Sequence, residues 1–304
     1  MQRVRERLRR LLGAVGVWSF ALDALAASDE AAAARAIEAA GLPVLWIPEG
    51  SSSKEAFSHA AHLLATTDRL SIATGIANMW ARDPVAMANG ARTLGTAWPG
   101  RFILGVGAGH EYSAQLRGFT WDKPFSRMQW YLKAMADAPF EGPEPDPAVP
   151  VLLAALGPRM LALAGTVTAG AHTYFVPVEH TVLARKALGA DPVLAVEQTV
   201  VPVADASKAR ELARSFAAGY LELPNYAKNL RRVGFSPEDV SGGGSDRLID
   251  ATIAWGNTGR IAERVRSHLD AGADHVCVQV ILDTEGRQVG VESVEELFRE
   301  LAPG

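Results

Sequence analysis

A histidine followed by an acid, His110-Glu111, stands just after an apolar run and the alternating glycines Gly105, Gly107 and Gly109. Histidine exchanges protons near neutral pH, so at a strand end it can act as general acid or base. Held by local hydrogen bonds, it is an ordinary loop residue. Glu49 also follows an apolar run, Val44-Leu45-Trp46-Ile47. Its carboxylate must be satisfied, either as a hydrogen-bond acceptor for a cofactor or by a neighbouring charge. Gly157-Pro158-Arg159 opens a helical pattern. Free N–H groups, the helix dipole and the arginine make an anion site there, although proline at the first helical position is also ordinary helix-start chemistry. The alternating glycines admit either a close backbone neighbour or a flat ligand.

Other chemistries are poorly supplied. The six remaining histidines, His59, His62, His172, His180, His268 and His275, form neither H-x-x-x-H nor H-E-x-x-H. There is no Cys/His zinc spacing, no G-x-S-x-G elbow and no P-loop, so no metal is expected. Cys277 is the sole cysteine and lies in an apolar run, where it reads as a small buried hydrophobe. A net charge of -4 without a basic stripe argues against nucleic acid as a partner. No apolar segment reaches the roughly 20 residues that span a bilayer.

The first ten residues carry five arginines, and the apolar stretch after them imitates a secretory leader. Asp23 stands just before the would-be cleavage point, and Gly16-Val17-Trp18-Ser19-Phe20 reads as a strand. Residues 1–15 are therefore expected to be a solvated helical extension of a cytoplasmic protein.

The elements that must position these residues follow an alternating pattern. With 304 residues, 48% of them hydrophobic, the chain can fill a large core as one domain spanning 1–304. Strands are expected at 17–20, 44–47, 70–76, 102–106, 151–156, 174–176, 193–201 and 275–281. Helices intervene, opened by signals such as Asp83-Pro84 and closed by glycines such as Gly41 and Gly272. Residues 139–150 hold five prolines and read as a linker. Residues 111–127 and 223–246 read as insertions, the second irregular. Eight βα repeats with strands buried on both faces imply a parallel sheet, and the lack of a central reversal favours closure into a (β/α)8 TIM barrel. The turn after the first strand lacks G-x-G-x-x-G, which counts against a Rossmann site.

The strand-end motifs carry a resemblance. Pro99-Gly100-Arg101-Phe102-Ile103-Leu104-Gly105-Val106-Gly107 resembles the fourth-strand motif of the luciferase-like monooxygenase superfamily. Leu45-Trp46-Ile47-Pro48-Glu49 is similar to its second-strand motif, and Leu156-Gly157-Pro158-Arg159-Met160 to its fifth-strand phosphate loop. Ala271-Gly272-Ala273-Asp274-His275-Val276 is similar to its last helix–strand turn. The resemblance covers residues 16–302 and is strongest to the actinobacterial branch that uses the deazaflavin coenzyme F420.

The resemblance implies a bacterial-luciferase-like barrel with a flavin-like ring across its mouth. It implies cofactor contacts from Glu49, Thr74, Gly75, Ile76, Asn78, Gly107, Ala108, Gly109, Gly157, Pro158, Arg159 and Tyr174, while the strand-end positions of His110 and Glu49 make these two the expected catalytic residues. It implies a non-proline cis peptide at Gly75-Ile76, a bond that costs about 3–4 kcal/mol, and a homodimer. Gly50 stands where some deazaflavin dehydrogenases carry a histidine, and His110 where they carry a glutamate, which speaks against a sugar-phosphate dehydrogenase. The activity expected is hydride transfer between coenzyme F420 and a small organic substrate. The alternatives are an FMN-dependent monooxygenase of the same fold, a cofactor-free lyase or isomerase using His110 and Glu49, and a cofactor-binding protein without catalysis.

Overall fold

The computed structural model describes residues 1–281 together with Arg299 and Leu301. The rest of the expected C-terminal segment lies outside the described residues. Eight strands form the frame: β1 Val15–Trp18, β2 Val44–Ile47, β3 Ser71–Thr74, β4 Phe102–Gly107, β5 Val151–Ala154, β6 Gly170–Thr173, β7 Val193–Val201 and β8 His275–Val280. Each pairs in parallel with its neighbour. β8 pairs with both β7 and β1, which closes the expected (β/α)8 TIM barrel. Two-residue strands, Ala77–Asn78 and Ala254–Trp255, extend the pairing beside β4 and β7.

Twelve α-helices are described: α1 Gln2–Leu12, α2 Ala27–Ala39, α3 Ala56–Thr66, α4 Pro84–Ala97, α5 Glu111–Leu116, α6 Pro124–Ala136, α7 Pro158–Val167, α8 Val178–Leu188, α9 Ala206–Leu221, α10 Pro224–Arg232, α11 Asp246–Thr252 and α12 Thr258–Asp270. Their starts obey local chemistry. Asp83 accepts the N–H groups of Val85 and Ala86 at 2.9 and 3.0 Å, ahead of Pro84 at the first helical position of α4. Residues 139–150 contain no helix or strand, as five prolines require.

Two expected elements are corrected. β6 lies upstream of the expected 174–176, so Phe175 is not on a strand. Gly170-Ala171-His172-Thr173 has no apolar run, yet all four residues are buried. Small side chains suffice where neighbouring strands cover both flanks, and pairing of Gly170–Thr173 with residues 193–196 sets the strand. The supposedly irregular insertion contains α10, started by Pro224 and burying Tyr226 and Leu230 at i, i+4 spacing.

The expected solvated extension is corrected as well. Leu8 and Leu12 of α1 are fully buried and cluster with Trp46, Ile103 and Leu152 inside the barrel, sealing its lower end. Arg5 pairs with Asp191 and donates to Gly165 O at 2.8 Å and Thr168 O at 3.2 Å. Arg9 reaches Asp274 at 2.8 Å. The arginine stems cover apolar surface while their guanidinium groups saturate carbonyls at the barrel base.

Aromatic rings join these aliphatic side chains in the interior. His172 packs against both Trp46 and Trp18, with ring centroids 4.6 and 5.2 Å away. Trp46 donates to His275 Nε2 at 3.0 Å, and His275 Nδ1 donates to Gly13 O at 3.0 Å. In α12, His268 bonds Thr181 Oγ1 at 2.8 Å and Gln198 Oε1 at 2.9 Å.

Burial pushes six histidines down, three of them furthest: His172 and His268 to about 3 and His275 to about 4. Each is therefore neutral in the folded state and protonates in the unfolded state near 6.5. A folded pKa below the unfolded one gives stability that is present above pH 6.5 and lost as pH falls. Glu197, pushed up to about 7 by burial, works oppositely and offsets one of the three protons. The net uptake by these four groups alone costs about 2 kcal/mol between pH 6.5 and 5.5. Urea unfolding at the two pH values measures it, and equal midpoints would show that these histidines titrate normally.

Candidate functional site

The C-terminal strand ends converge on one mouth. Ile76, Ala108, Gly109, His110, Leu156 and Tyr174 are partly exposed there, with Gly157, Pro158 and Arg159 on the rim. Other expected site residues lie in the wall beneath. Thr74 is fully buried, and its hydroxyl donates to Gly105 O and accepts from Gly105 N, both at 2.9 Å. Asn78, 1% exposed, donates from Nδ2 to Ser113 Oγ at 2.9 Å and accepts the Trp80 N–H at 2.9 Å.

The glycines resolve toward protein packing. A Cβ on Gly105 would overlap Thr74 O, and one on Gly107 would stand 2.5 Å from Ile76 Cγ2. They let β3 and β4 approach closely. Gly75 is overlain by the indole of Trp18, which occupies the place a Cβ would need.

The expected cis peptide at Gly75-Ile76 is corrected. Among the described residues the cis bond is Asp146-Pro147. Gly75 N–H donates to Ile47 O at 2.8 Å, and pairing with β4 resumes at Ala77. Strand pairing thus brackets the bend at Gly75 on both sides, and nothing there offsets the cost of a cis bond.

Glu49 is 4% exposed and fully engaged. It pairs with Arg82 through both oxygens, one contact measuring 2.8 Å, and accepts Asn78 N–H at 2.6 Å and Ala56 N–H at 3.4 Å. Arg82 in turn reaches Glu55 at 2.6 Å and lies over the Phe57 ring. Glu49 thereby fastens the β3–β4 wall to the start of α3.

His110 precedes α5 and faces α10 across the mouth. Its ring lies 5.8 Å from those of Tyr112 and Tyr226. Burial holds its pKa below the ordinary histidine value, against a hydrogen bond with Asn225. The imidazole is therefore neutral at pH 7 and able to accept a proton.

Opposite, Tyr174 OH donates to Gln279 Oε1 at 2.8 Å and lies 2.9 Å from Tyr220 OH. Its ring tilts over Trp18 at 5.2 Å. The next residue, Phe175, has φ 54°, a left-handed conformation costly for a bulky side chain, of order 1–3 kcal/mol. Its N–H donates to Glu197 Oε2 at 3.1 Å, while Thr199 Oγ1 donates to Glu197 Oε1 at 2.6 Å.

At the start of α7 no side chain caps the first-turn N–H groups. Arg159 lies over the Phe125 ring at 4.2 Å. Arg232 of α10 comes within 3.9 Å of the Cβ position of Gly157 and bonds Asn229 Oδ1 at 3.3 Å. Asn229 Nδ2 and His180 Nδ1, on residues that flank Arg232, are buried without hydrogen-bond partners among the described residues. Two cations, a helix N-terminus and unspent polar atoms suit an anionic group, and the partly exposed apolar strand ends suit a flat body beside it.

Sequence reasoning brings His110, Arg159 and Tyr174 to this mouth. It misses Arg232, Asn229 and Tyr226, although Pro224 and the i, i+4 spacing of Tyr226 and Leu230 announce the helix that carries them. It also misses Glu197, whose signal is the polar triplet Glu197-Gln198-Thr199 inside an otherwise apolar nine-residue strand.

The fold is shared with solved enzymes. The chain superposes with a TM-score of 0.75 on an F420-dependent secondary alcohol dehydrogenase in complex with an F420-acetone adduct, at 17% identity, covering 96% of this chain and 99% of that one. It matches the coenzyme F420 dependent tetrahydromethanopterin reductase from Methanopyrus kandleri equally well, at 18% identity, covering 95% and 98%. By sequence it is 24% identical over 292 residues to the 5,10-methylenetetrahydromethanopterin reductase of Methanolobus tindarius, across 80% of this chain and 87% of the relative. Residues 15–275, from the start of β1 to the first residue of β8, match the family model of luciferase-like monooxygenases, and the chain belongs to that family.

Proposed function

We propose that this protein is a coenzyme F420-dependent oxidoreductase that transfers a hydride between the deazaflavin and a small organic substrate, acting as a cytoplasmic homodimer. The observation that carries the reading is the meeting, at one barrel mouth, of an anion-complementary α7 N-terminus, an apolar bed and a neutral histidine. The F420 dependence of the two structural neighbours supports the deazaflavin over FMN.

When bound, the deazaflavin supplies a two-electron hydride carrier. The first-turn N–H groups of α7 with Arg159 and Arg232 would hold its phosphate. Ile76, Ala108 and Tyr174 would line the space for its flat body, and the Trp18 indole packed on Gly75 excludes water beside it. His110 Nδ1 or Nε2 takes or returns the substrate proton. Glu49, committed to Arg82 and two backbone N–H groups, holds the wall in place.

Equilibrium binding of coenzyme F420 and of FMN to the purified protein tests the reading. F420 is expected to bind and FMN to bind more weakly; retention of FMN alone would favour the oxygen-activating alternative. Arg159→Ala is expected to weaken F420 binding about tenfold at low salt and less at high salt, where screening already reduces the charge interaction. Unchanged affinity at every salt concentration removes Arg159 from the site.

The homodimer reading is supported by exposed apolar side chains on α5 and α6, Leu116 at 68%, Trp130 at 57% and Tyr112 at 52%. Light scattering at micromolar concentration is expected to give twice the 32.4 kDa of the chain, and a monomer mass rejects it.

A further inference from the structure

We propose that Glu197 is a positioning residue of the cofactor site: its buried carboxyl group holds the left-handed Phe175 turn and so fixes Tyr174 against the barrel mouth. The inference rests on the reading of that mouth as the F420 site.

The turn separates two consecutive aromatic side chains. Tyr174 goes to the barrel interior, over Trp18 at 5.2 Å and Phe20 at 6.4 Å. Phe175, 1% exposed, goes the other way and stacks on Tyr220 at 5.2 Å, beneath α9 and α10. A left-handed φ at a non-glycine residue persists only where surroundings over-determine it. Packing of Phe175 supplies one restraint. The other is its N–H, whose acceptor is a side-chain oxygen on β7.

Glu197 is itself 1% exposed, and its second oxygen is turned by the Thr199 hydroxyl, also 1% exposed. A buried carboxyl group is costly unless its hydrogen bonds are made, and here both oxygens have donors. Without the carboxyl acceptor, the Phe175 N–H would be buried and unpaired. The turn would relax toward an extended φ, drawing Tyr174 away from Gln279 and Tyr220. Glu197 touches neither cofactor nor substrate; it acts through Tyr174.

The test uses the full-length protein, Glu197→Met and Glu197→Gln. Glutamine keeps an oxygen for Phe175 N–H and an N–H for the Thr199 hydroxyl, whereas methionine keeps only volume. F420 affinity is expected to fall about tenfold or more in Glu197→Met, equivalent to at least about 1.4 kcal/mol, and to stay within about twofold in Glu197→Gln. In a Tyr174→Ala background the methionine substitution is expected to add less than about twofold, because the residue through which it acts is gone. Selective ¹⁵N-phenylalanine labelling without cofactor reads the turn directly. One amide resonance should shift in Glu197→Met and remain near its place in Glu197→Gln.

Should Glu197→Met not fold, Thr199→Val, which frees the carboxyl group to rotate, is expected to lower affinity two- to fivefold. Wild-type affinity in a folded Glu197→Met protein, or a full tenfold loss in the Tyr174→Ala background, overturns the inference while leaving the cofactor reading intact. Failure of the wild-type protein to bind F420 at all overturns the cofactor reading and this inference with it.

Discussion

Arg82→Ala is expected to destabilise the protein by about 3–5 kcal/mol, because it leaves the Glu49 carboxylate buried without its counter-charge. Arg82 holds both Glu49 oxygens and reaches Glu55 besides. The two backbone N–H groups that remain, from Asn78 and Ala56, ease the loss and do not neutralise the charge. Urea unfolding near pH 7 measures the change. Combining Arg82→Met with Glu49→Gln removes both charges and is expected to recover at least half of it, since a neutral pair has little desolvation to repay. If Arg82→Ala costs under 1 kcal/mol, the pair behaves as a surface salt bridge and Glu49 is free to serve the cofactor directly.

The second large effect concerns catalysis. His110→Ala is expected to lower turnover about 10²–10⁴-fold, the usual weight of general acid–base help, with F420 affinity changed by no more than a few fold. Single-turnover oxidation or reduction of bound F420, followed by absorbance, separates the two quantities. Because burial lowers the pKa of His110, the neutral base is present above the ordinary histidine range and is lost only as pH falls below it. Proton-accepting turnover is therefore expected to fall on the acid side, and that limb should vanish in the variant. Full turnover in His110→Ala makes it a loop residue. Loss of cofactor instead places it in the binding shell.

The barrel was legible because most strands are apolar runs punctuated by glycine, proline or a capping acid, and such runs report burial on both faces. β6 escaped that logic. Its residues are small or polar, while the apolar Tyr174-Phe175-Val176 just beyond it attracts the assignment to the wrong side of the turn. The rim residues His110 and Arg159 could be found because they follow strand signals at short range. Arg232 and Glu197 could not be tied to them, since their roles depend on which elements the closed barrel brings together. The glycines of β4 show the converse limit. Their spacing marks close approach, but only three-dimensional contact shows that the approaching group is Thr74 and Ile76 of the same wall.

The sealing helix at the barrel base also constrains the order of events during synthesis. α1 leaves the ribosome before every strand of the barrel, and its partners Asp191 and Asp274 lie 186 and 265 residues beyond Arg5 and Arg9. Its leucines need an interior built by strands up to β8. Until those strands emerge, the helix has nowhere to dock and remains an arginine-rich, amphipathic segment open to chaperones and proteases. Contacts of such sequence separation form late and slow the closing of a chain. Circular permutation through residues 139–150 would place this helix after Asp191 and Asp274 in the chain, so that it arrives after both of these charged partners.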